Sequence, residues 1–590
     1  MVNQLVTRHP VFFATFITCV VALGSAAFLG KFGVVGSDSD DLMRLIQVRD
    51  LMAGQSFFDT YQYRLGPDGG TLMHWSRIPD IPLVVLIGFF NMFVSASFAE
   101  ALAISLWPPM SAGLAFLGLV TGARNLAGPK AVPFAVIVGL ATLALYYRFH
   151  VGALDHHNLQ IAFLLIALGF MTDPSHRFSS FLVAGAAVAV SMAIGAEVYI
   201  FVAIICVAVP LLWLVRGQVV SQALSGFGVG FGATSVALFF ATTSTAQYLA
   251  VYCDAFSSIN AAVAGVGGLL LLIASHERMQ GSFRWRFLVL LVMGTSTGVL
   301  LITASPQCLA SPLSTLPNEV KTLWLDLILE ARPVLALTDL NPLIPVTYLG
   351  APLLTLVLLL RDIRIGRNPF ANLLFAALIG AAIATTLVQV RFSVFAHMFC
   401  LFAWVCWALQ VYQHSQKYRF KLLPATLVVF VSTQTAWALP AAVYNVTSET
   451  KRLDIESSSR CMSAVSMTRL KSLPSGTILA RPGLSPLILD QTEHRVLNGN
   501  YHRNVNGIEM AVRIFMSNPQ SSPDLLREAG VTYLVVCPKG GQDSFLANRA
   551  PDGLAAGLLA GKSYSFLEPI EDADTSSAAG DSAKMFRVVF

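Results

Sequence analysis

Charge is what this chain has least of. Of its 590 residues 12% are charged and 55% are hydrophobic, where soluble domains carry roughly 25% charged residues. That excludes an ordinary soluble domain and leaves a polytopic membrane protein, with enough apolar sequence for a large helical bundle. A formal net charge of +5 is small for this length and carries no sign of a nucleic-acid partner. The eight cysteines are scattered, with no Cys-x-x-Cys pair and no Cys/His metal spacing, so no thiolate metal centre is expected. Internal repeats and low-complexity stretches are missing. The first apolar span lacks a small-residue cleavage site and reads as a retained helix rather than a removed signal.

What is present is a succession of membrane-length apolar segments. They recur at about 11–32, 99–122, 131–149, 158–172, 179–196, 198–215, 219–242, 258–275, 287–303, 345–360, 370–388, 392–412 and 422–440, thirteen in all. Several fall short of the roughly twenty residues a full crossing prefers. Residues 81–95 are also apolar, but Pro79 and Pro82 open them around Asp80; they read as an interfacial or re-entrant part of the first loop, the alternative being a further span that would change the parity. With the N-terminus cytoplasmic, the short basic clusters fall on one side: Arg124 and Lys130; His176 and Arg177; Arg216; Arg278, Arg284 and Arg286; Arg361, Arg364 and Arg367; Lys417, Arg419 and Lys421. This sorting is what the positive-inside rule demands. The other side receives loop 33–98, Asp155, Glu197, loop 304–344 and everything after 441.

Residues 1–440 are thus expected to form a transmembrane domain and 441–590 a small α/β domain on the outer face. In the tail, Thr477-Ile478-Leu479-Ala480 and Val531-Thr532-Tyr533-Leu534-Val535-Val536 suit buried strands, and 507–516 and 523–529 suit amphipathic helices. Cys461 and Cys537 both lie there, in a compartment that permits a disulfide. Their pairing is left open by the sequence.

The misplaced ionisable residues gather on the outer side. Asp38, Asp40 and Asp41 follow the first span and open a helical pattern through Leu42, Leu45, Ile46 and Arg49. Crowded acids there suit a divalent cation or a proton transfer; an N-cap is the bland alternative. Asp155-His156-His157 stands at the junction of the third and fourth spans and offers three metal ligands, or an interfacial cap with two polar-tipped rings. Loop 304–344 carries Glu330 before Ala331-Arg332-Pro333; loops of that length are commonly lids or binding loops. Arg391 opens a late span within Val390-Arg391-Phe392-Ser393. An Arg embedded in apolar sequence is costly unless it pairs, contacts phosphate or snorkels.

In their order and sidedness these features resemble the catalytic subunit of oligosaccharyltransferases, within the C-type class of membrane glycosyltransferases. Asp40 stands nine residues before Arg49-Asp50; Asp155-His156-His157 follows Tyr146-Tyr147-Arg148; Glu330 closes the long outer loop; Arg391 begins Arg-Phe-Ser-Val-Phe-Ala. The likeness covers about 30–440 in architecture. It implies a sugar transferred at the outer face of a bacterial inner membrane from a polyprenyl-phosphate or polyprenyl-diphosphate donor. The acceptor would be a glycan, lipid or protein. It implies Asp40, Asp155 and Glu330 as catalytic residues and a divalent metal, Mn²⁺ or Mg²⁺, on Asp40, Asp155 and His157. Arg391 and His156 would hold the donor phosphate. Two departures qualify this. His157 stands where the family often has a second acid, and the tail lacks the Trp-Trp-Asp motif that reads a peptide acceptor. At the comparable place stands Leu497-Asn498-Gly499-Asn500-Tyr501-His502-Arg503-Asn504. A peptide sequon is therefore not the expected acceptor, and Tyr501, His502 and Arg503 are candidates for contacting acceptor or phosphate, or members of a turn. A transporter or flippase of a lipid-linked or anionic substrate is the other class to weigh. It would place its charges near the midplane and repeat its halves, and neither pattern is present.

Overall fold

The computed structural model describes residues 8–67, 69–447, 461–538, 541–570 and 583–590. It divides into two units. The first is Met1–Gly36, Trp75–Ser311 and Pro333–Ser448; the second is Ser37–His74, Pro312–Arg332 and Glu449–Phe590.

The first unit is a helical bundle. Helices stand at all thirteen predicted segments: Pro10–Phe28, Ala96–Ala127, Val132–Thr142, His157–Met171, Phe178–Ile194, Tyr199–Arg216, Ser221–Thr242, Ser258–Ala274, Phe283–Ala304, Ile344–Arg364, Pro369–Val388, Ser393–Ser415 and the bent pair Leu423–Ser432 and Gln434–Thr447. Among the described residues, seven helical segments are long and apolar enough to cross a membrane, or up to eight with the bent pair. The tally is below thirteen because several of these helices have only 10–17 residues and the run Ala196–Thr242 counts once. Gly217, at φ +61°, breaks that run into two helices. The apolar piece after Pro79 is the helix Asp80–Asn91, also too short to cross. Buried Asp80 is paired with buried Arg77 at 3.1 Å.

Small residues let the central helices touch. A Cβ added at Gly169 would lie 2.1 Å from the carbonyl of Gly118, so His157–Met171 and Ala96–Ala127 approach backbone to backbone, the usual device of membrane helices. Phe181, Phe201, Phe227, Phe395, Phe399 and Phe402 fill the remaining core. Helix His157–Met171 is buried over almost its whole length, which fixes the direction of the residues that open it.

The second unit is built on a five-stranded mixed sheet. Its strands are β3 (Thr477–Leu479), β4 (Arg495–Val496), β5 (Val531–Val536), β6 (Leu567–Pro569) and β7 (Lys584–Val588), after a small hairpin of β1 (Tyr61–Gln62) and β2 (Thr71–Leu72). The order is β4-β3-β5-β7-β6, parallel across β4, β3 and β5 and antiparallel across β5, β7 and β6. The predicted strands and the amphipathic helices Val505–Met516 and Ser522–Glu528 are all formed. Cys461 and Cys537 are bonded. The unit takes in more than the tail. Helix Ser39–Met52 is tied by Arg49 to Asp490 at 2.5 Å, Leu65 bridges to Val496, and buried Trp324 donates through Nε1 to Asn500 at 3.1 Å. The last bundle helix runs to Thr447, past the expected boundary at 440.

Candidate active site

Three consecutive residues at one end of the first unit carry the densest chemistry. Helix His157–Met171 begins at His157, with Asp155 and His156 just before it. A carboxylate at a helix N-terminus is favoured by the exposed amides of the first turn. Asp155, His156 and His157 are all buried. Both Asp155 oxygens are engaged: Oδ2 accepts from Arg148 Nη1 at 2.9 Å and pairs with His157 Nδ1, and Oδ1 accepts from the His156 amide at 2.7 Å. The His156 ring lies between two carboxylates, with Nδ1 2.6 Å from Asp155 Oδ1 and Nε2 3.7 Å from Glu197 Oε2.

Charge organises this cluster. Burial pushes the Asp155 carboxyl upward, but the His156 and His157 imidazoles outweigh it and hold the group well below the ordinary carboxylate range. Burial likewise disfavours charged His156, yet Asp155 and Glu197 raise it to about 10. Arg391, in the turn Val390–Phe392 ahead of helix Ser393–Ser415, exerts an attractive Coulombic pull on Glu197. Its Nε donates to Gln389 at 3.0 Å. Four residues on, the Phe395 ring is 6.5 Å from that of His157. The Trp75 ring is 6.1 Å from that of His156 and walls the cluster. The first unit therefore brings Asp155, His156 and His157 together, and the charge of Arg391 reaches this cluster through Glu197. It adds Arg148 and Glu197, which sequence reasoning did not place there.

The remaining candidates belong to the second unit. Asp38 caps helix Ser39–Met52 by accepting from the Asp40 amide at 3.1 Å, so the cap belongs to Asp38, and Asp40 is a half-buried first-turn residue. Arg49 pairs with Asp490, and Asp50 accepts from Gln62 at 2.8 Å; this motif fastens the helix within its unit. Glu330 is exposed in the short turn Leu329–Ala331. Tyr501 is buried, the His502 ring lies 4.5 Å from that of His74, and Arg503 donates to the Met73 carbonyl at 3.3 Å.

Asp155, His156 and His157 offer one ligand atom each, all within 4.8 Å of one another. One carboxylate and two imidazoles are a donor set for a divalent ion, and the imidazoles suit Zn²⁺ better than Mg²⁺.

Solved structures match this architecture. The archaeal oligosaccharyltransferase AglB from Archaeoglobus fulgidus, in complex with an inhibitory peptide and a dolichol-phosphate, superposes with a TM-score of 0.61 at 13% identity, covering 90% of this chain and 70% of that one. The same organism's oligosaccharyltransferase tethered with an acceptor peptide containing the NVT sequon gives 0.63 at 13% identity, covering 96% and 73%. Its complex with Zn and sulfate gives 0.60 at 13%, covering 90% and 68%. The chain has the oligosaccharyltransferase fold. No protein-family model and no curated protein matches it. At this identity the match shows the fold alone, and the chemistry rests on the residues of the site.

Proposed function

We propose that this protein is a glycosyltransferase that moves a sugar from a polyprenyl-phosphate or polyprenyl-diphosphate donor to an acceptor at the outer face of the membrane. The observation that carries this reading is the buried Asp155-His156-His157 cluster, flanked by Arg148 and acted on by the charge of Arg391, in a chain with the oligosaccharyltransferase fold. Breaking a C–O bond to phosphate leaves at least two negative charges. Preorganised cations are the usual means of stabilising such a leaving group. Arg391 and His156 are assigned that task. Asp155 and His157 would hold the divalent metal, which as a Lewis acid would offset further leaving-group charge. The neighbour's Zn and sulfate complex is consistent with a cation and an oxyanion in such a fold.

Asp40 and Glu330 are assigned by motif. Asp40 would orient or deprotonate the acceptor, and Glu330 would assist. The donor's lipid suits a cavity of about 480 Å³ among the helices from Tyr199 to Ala304, lined by Val202, Cys206, Phe227, Phe231 and Met293. Its apolar lining is what an isoprenoid chain requires. One neighbour was captured with an inhibitory peptide and a dolichol-phosphate and another with a tethered acceptor peptide; without Trp-Trp-Asp the acceptor here is taken to be a glycan, a lipid or a protein read differently. Two disulfides support an oxidising outer side in a bacterial inner membrane. Cys253–Cys308 and Cys461–Cys537 each join segments assigned to that side, and the free cysteines Cys19, Cys206, Cys400 and Cys406 all lie in helices.

The test is a comparison of envelope polysaccharides, lipids and proteins by mass spectrometry with and without the chain, followed by transfer assays on purified D155N and D40A with a lipid-linked sugar. One glycan linkage should vanish with the chain, and each variant should lose at least a hundredfold in rate. Full transfer by D40A would end the assignment of Asp40; an unchanged set of glycans would end the transferase reading.

A further inference from the structure

The first unit holds a second, smaller cavity that the function proposed above leaves unused. It encloses about 140 Å³ among helices Ile344–Arg364, Pro369–Val388 and Ser393–Ser415. It lies at the end of the bundle away from the Asp155 cluster. Helix Ser393–Ser415 starts beside the turn that carries Arg391, and at 1.5 Å per residue Trp407 stands about 24 Å further along the axis. The far end of helix His157–Met171 is at the same level: Asn125 donates to the Gly169 carbonyl at 3.1 Å, and Asn368, on the cavity wall, donates to the Leu126 carbonyl at 3.2 Å. Phe375, Phe402 and Trp407 line the cavity, the first two with their rings stacked at 5.1 Å. Among them stands one carboxylate, Asp362, buried in the last turn of helix Ile344–Arg364.

Charge decides what such a cavity takes. Asp362 Oδ2 accepts from Trp407 Nε1 at 2.9 Å. Its Oδ1 faces Arg367 Nη1 at 3.6 Å, longer than a hydrogen bond. The Arg367 side chain is 48% exposed, and its Nη1 donates to Gln410 Oε1 at 3.0 Å, so water and Gln410 meet much of its charge. A buried carboxylate so thinly compensated favours a further cation. The aromatic lining narrows the choice. Ring faces beside a carboxylate in a small cavity suit an organic ammonium group, whereas Mg²⁺ or Ca²⁺ would call for more oxygen ligands. The rim is already in place, because Asn372 donates to the Arg367 carbonyl at 2.8 Å.

We propose that this cavity binds the headgroup of a zwitterionic phospholipid, with its ammonium beside Asp362 and Trp407 and its phosphate on Arg367. Position favours a lipid over a solute. Asp362 ends a helix of 21 residues that is long and apolar enough to cross a membrane, which sets it at headgroup level. Exposed Arg361, Arg364 and Arg367 surround it in sequence, and basic residues at a span end attract lipid phosphate. A headgroup there clasps helices Ile344–Arg364 and Ser393–Ser415 together on the leaflet away from the Asp155 cluster. The inference goes beyond the transfer chemistry proposed above and does not depend on it.

The test is native mass spectrometry of the detergent-purified full chain, titrated with phosphatidylethanolamine and with phosphatidylglycerol of the same acyl chains, which carries no ammonium. Wild type, D362N, R367Q and A403L are compared, with the lipid-free melting curve of each as a control for folding. Ala403 lines the cavity, so A403L fills it and leaves Asp362 in place. Wild type should prefer phosphatidylethanolamine by about tenfold or more, the scale of one charge-assisted contact. D362N and A403L should bind the two lipids about equally, and R367Q should weaken both to a similar degree. No preference in wild type, or a preference that survives in either D362N or A403L, would overturn the inference. Should D362N fail to melt cooperatively without lipid, A403L decides by itself. Free ethanolamine at the lipid's own concentration should leave the bound lipid in place; its displacement, with R367Q binding as wild type does, would make the ligand a soluble amine and overturn the lipid assignment. None of these readouts uses sugar transfer, so they stand or fall separately from the transferase reading.

Discussion

Arg148 and Asp155 are both buried, and Nη1 of the first donates to Oδ2 of the second across 2.9 Å. An ion pair out of water is poor evidence of net stability, but removing one partner strands the other. R148M should therefore destabilise the first unit by about 3 kcal/mol. The double variant R148M/D155N, with no carboxylate left to strand, should recover most of that loss. Denaturation of the four proteins of the cycle in mixed micelles measures the coupling.

Gly195 offers a change confined to the site. Its φ of −174° is extended backbone open to any residue, so G195A adds no backbone strain. The new methyl group would instead displace the ends of Glu197, Gln160 and His156. G195A should melt within a few degrees of wild type and lose at least tenfold in transfer rate. Melting curves and assays on the same preparation check both halves.

How far the sequence spoke for itself differs between the two units. Apolar length placed a helix at every predicted span, and short apolar runs placed β3 and β5, because both are local signals. Asp155, His156 and His157 were legible as adjacent polar residues at a span junction. Glu197 was visible only as one acid among apolar neighbours, since its meaning depends on how two helices return to the same end of the bundle. Arg148 read as a landmark ahead of the motif, not as the partner of its aspartate. The inclusion of Ser37–His74 and Pro312–Arg332 in the tail's unit, and the Cys253–Cys308 bond, are long-range pairings with no periodicity to announce them.

The second unit should respond to pH through Asp543. This carboxyl is buried beneath the Cys537 amide, which donates to it at 2.8 Å. Burial raises its pKa from 3.8 to about 6, against the opposing pull of that amide and of Arg481. The folded state binds the proton more tightly than the unfolded state. Its contribution is thus fully present below pH 3.8, is lost as pH rises to about 6, and is flat above. The loss is about 3 kcal/mol. D543N should abolish this fall and stabilise the unit at pH 7, less whatever Arg481 forfeits. Hydrogen exchange along β5, corrected for intrinsic rates and followed from pH 4 to 7, reads the effect.

Cys253 and Cys308 close a stretch with a sequence separation of 55. By the chain-entropy relation such a bridge is worth about 4 kcal/mol. C253S/C308S should lower the melting temperature of the first unit measurably. The same pair tests orientation. If both cysteines face the outside, a membrane-impermeant reductant and maleimide applied to spheroplasts should label them as fully as in lysed cells. Labelling only after lysis would reverse the assigned sidedness.

His157 sets the metal preference of the proposed site on Asp155 and His157. Its Nδ1 contacts Asp155 Oδ2 directly, so H157D replaces a neutral or positive partner of Asp155 by a second carboxylate. Two buried carboxylates side by side repel, and the pair is tolerable only when protonated or bridged by a cation. Oxygen ligands favour Mg²⁺, whereas imidazole favours transition metals. H157D should therefore melt lower than wild type in the absence of metal and gain more from millimolar Mg²⁺. Its ratio of transfer rates with Mg²⁺ over Mn²⁺ should rise at least tenfold.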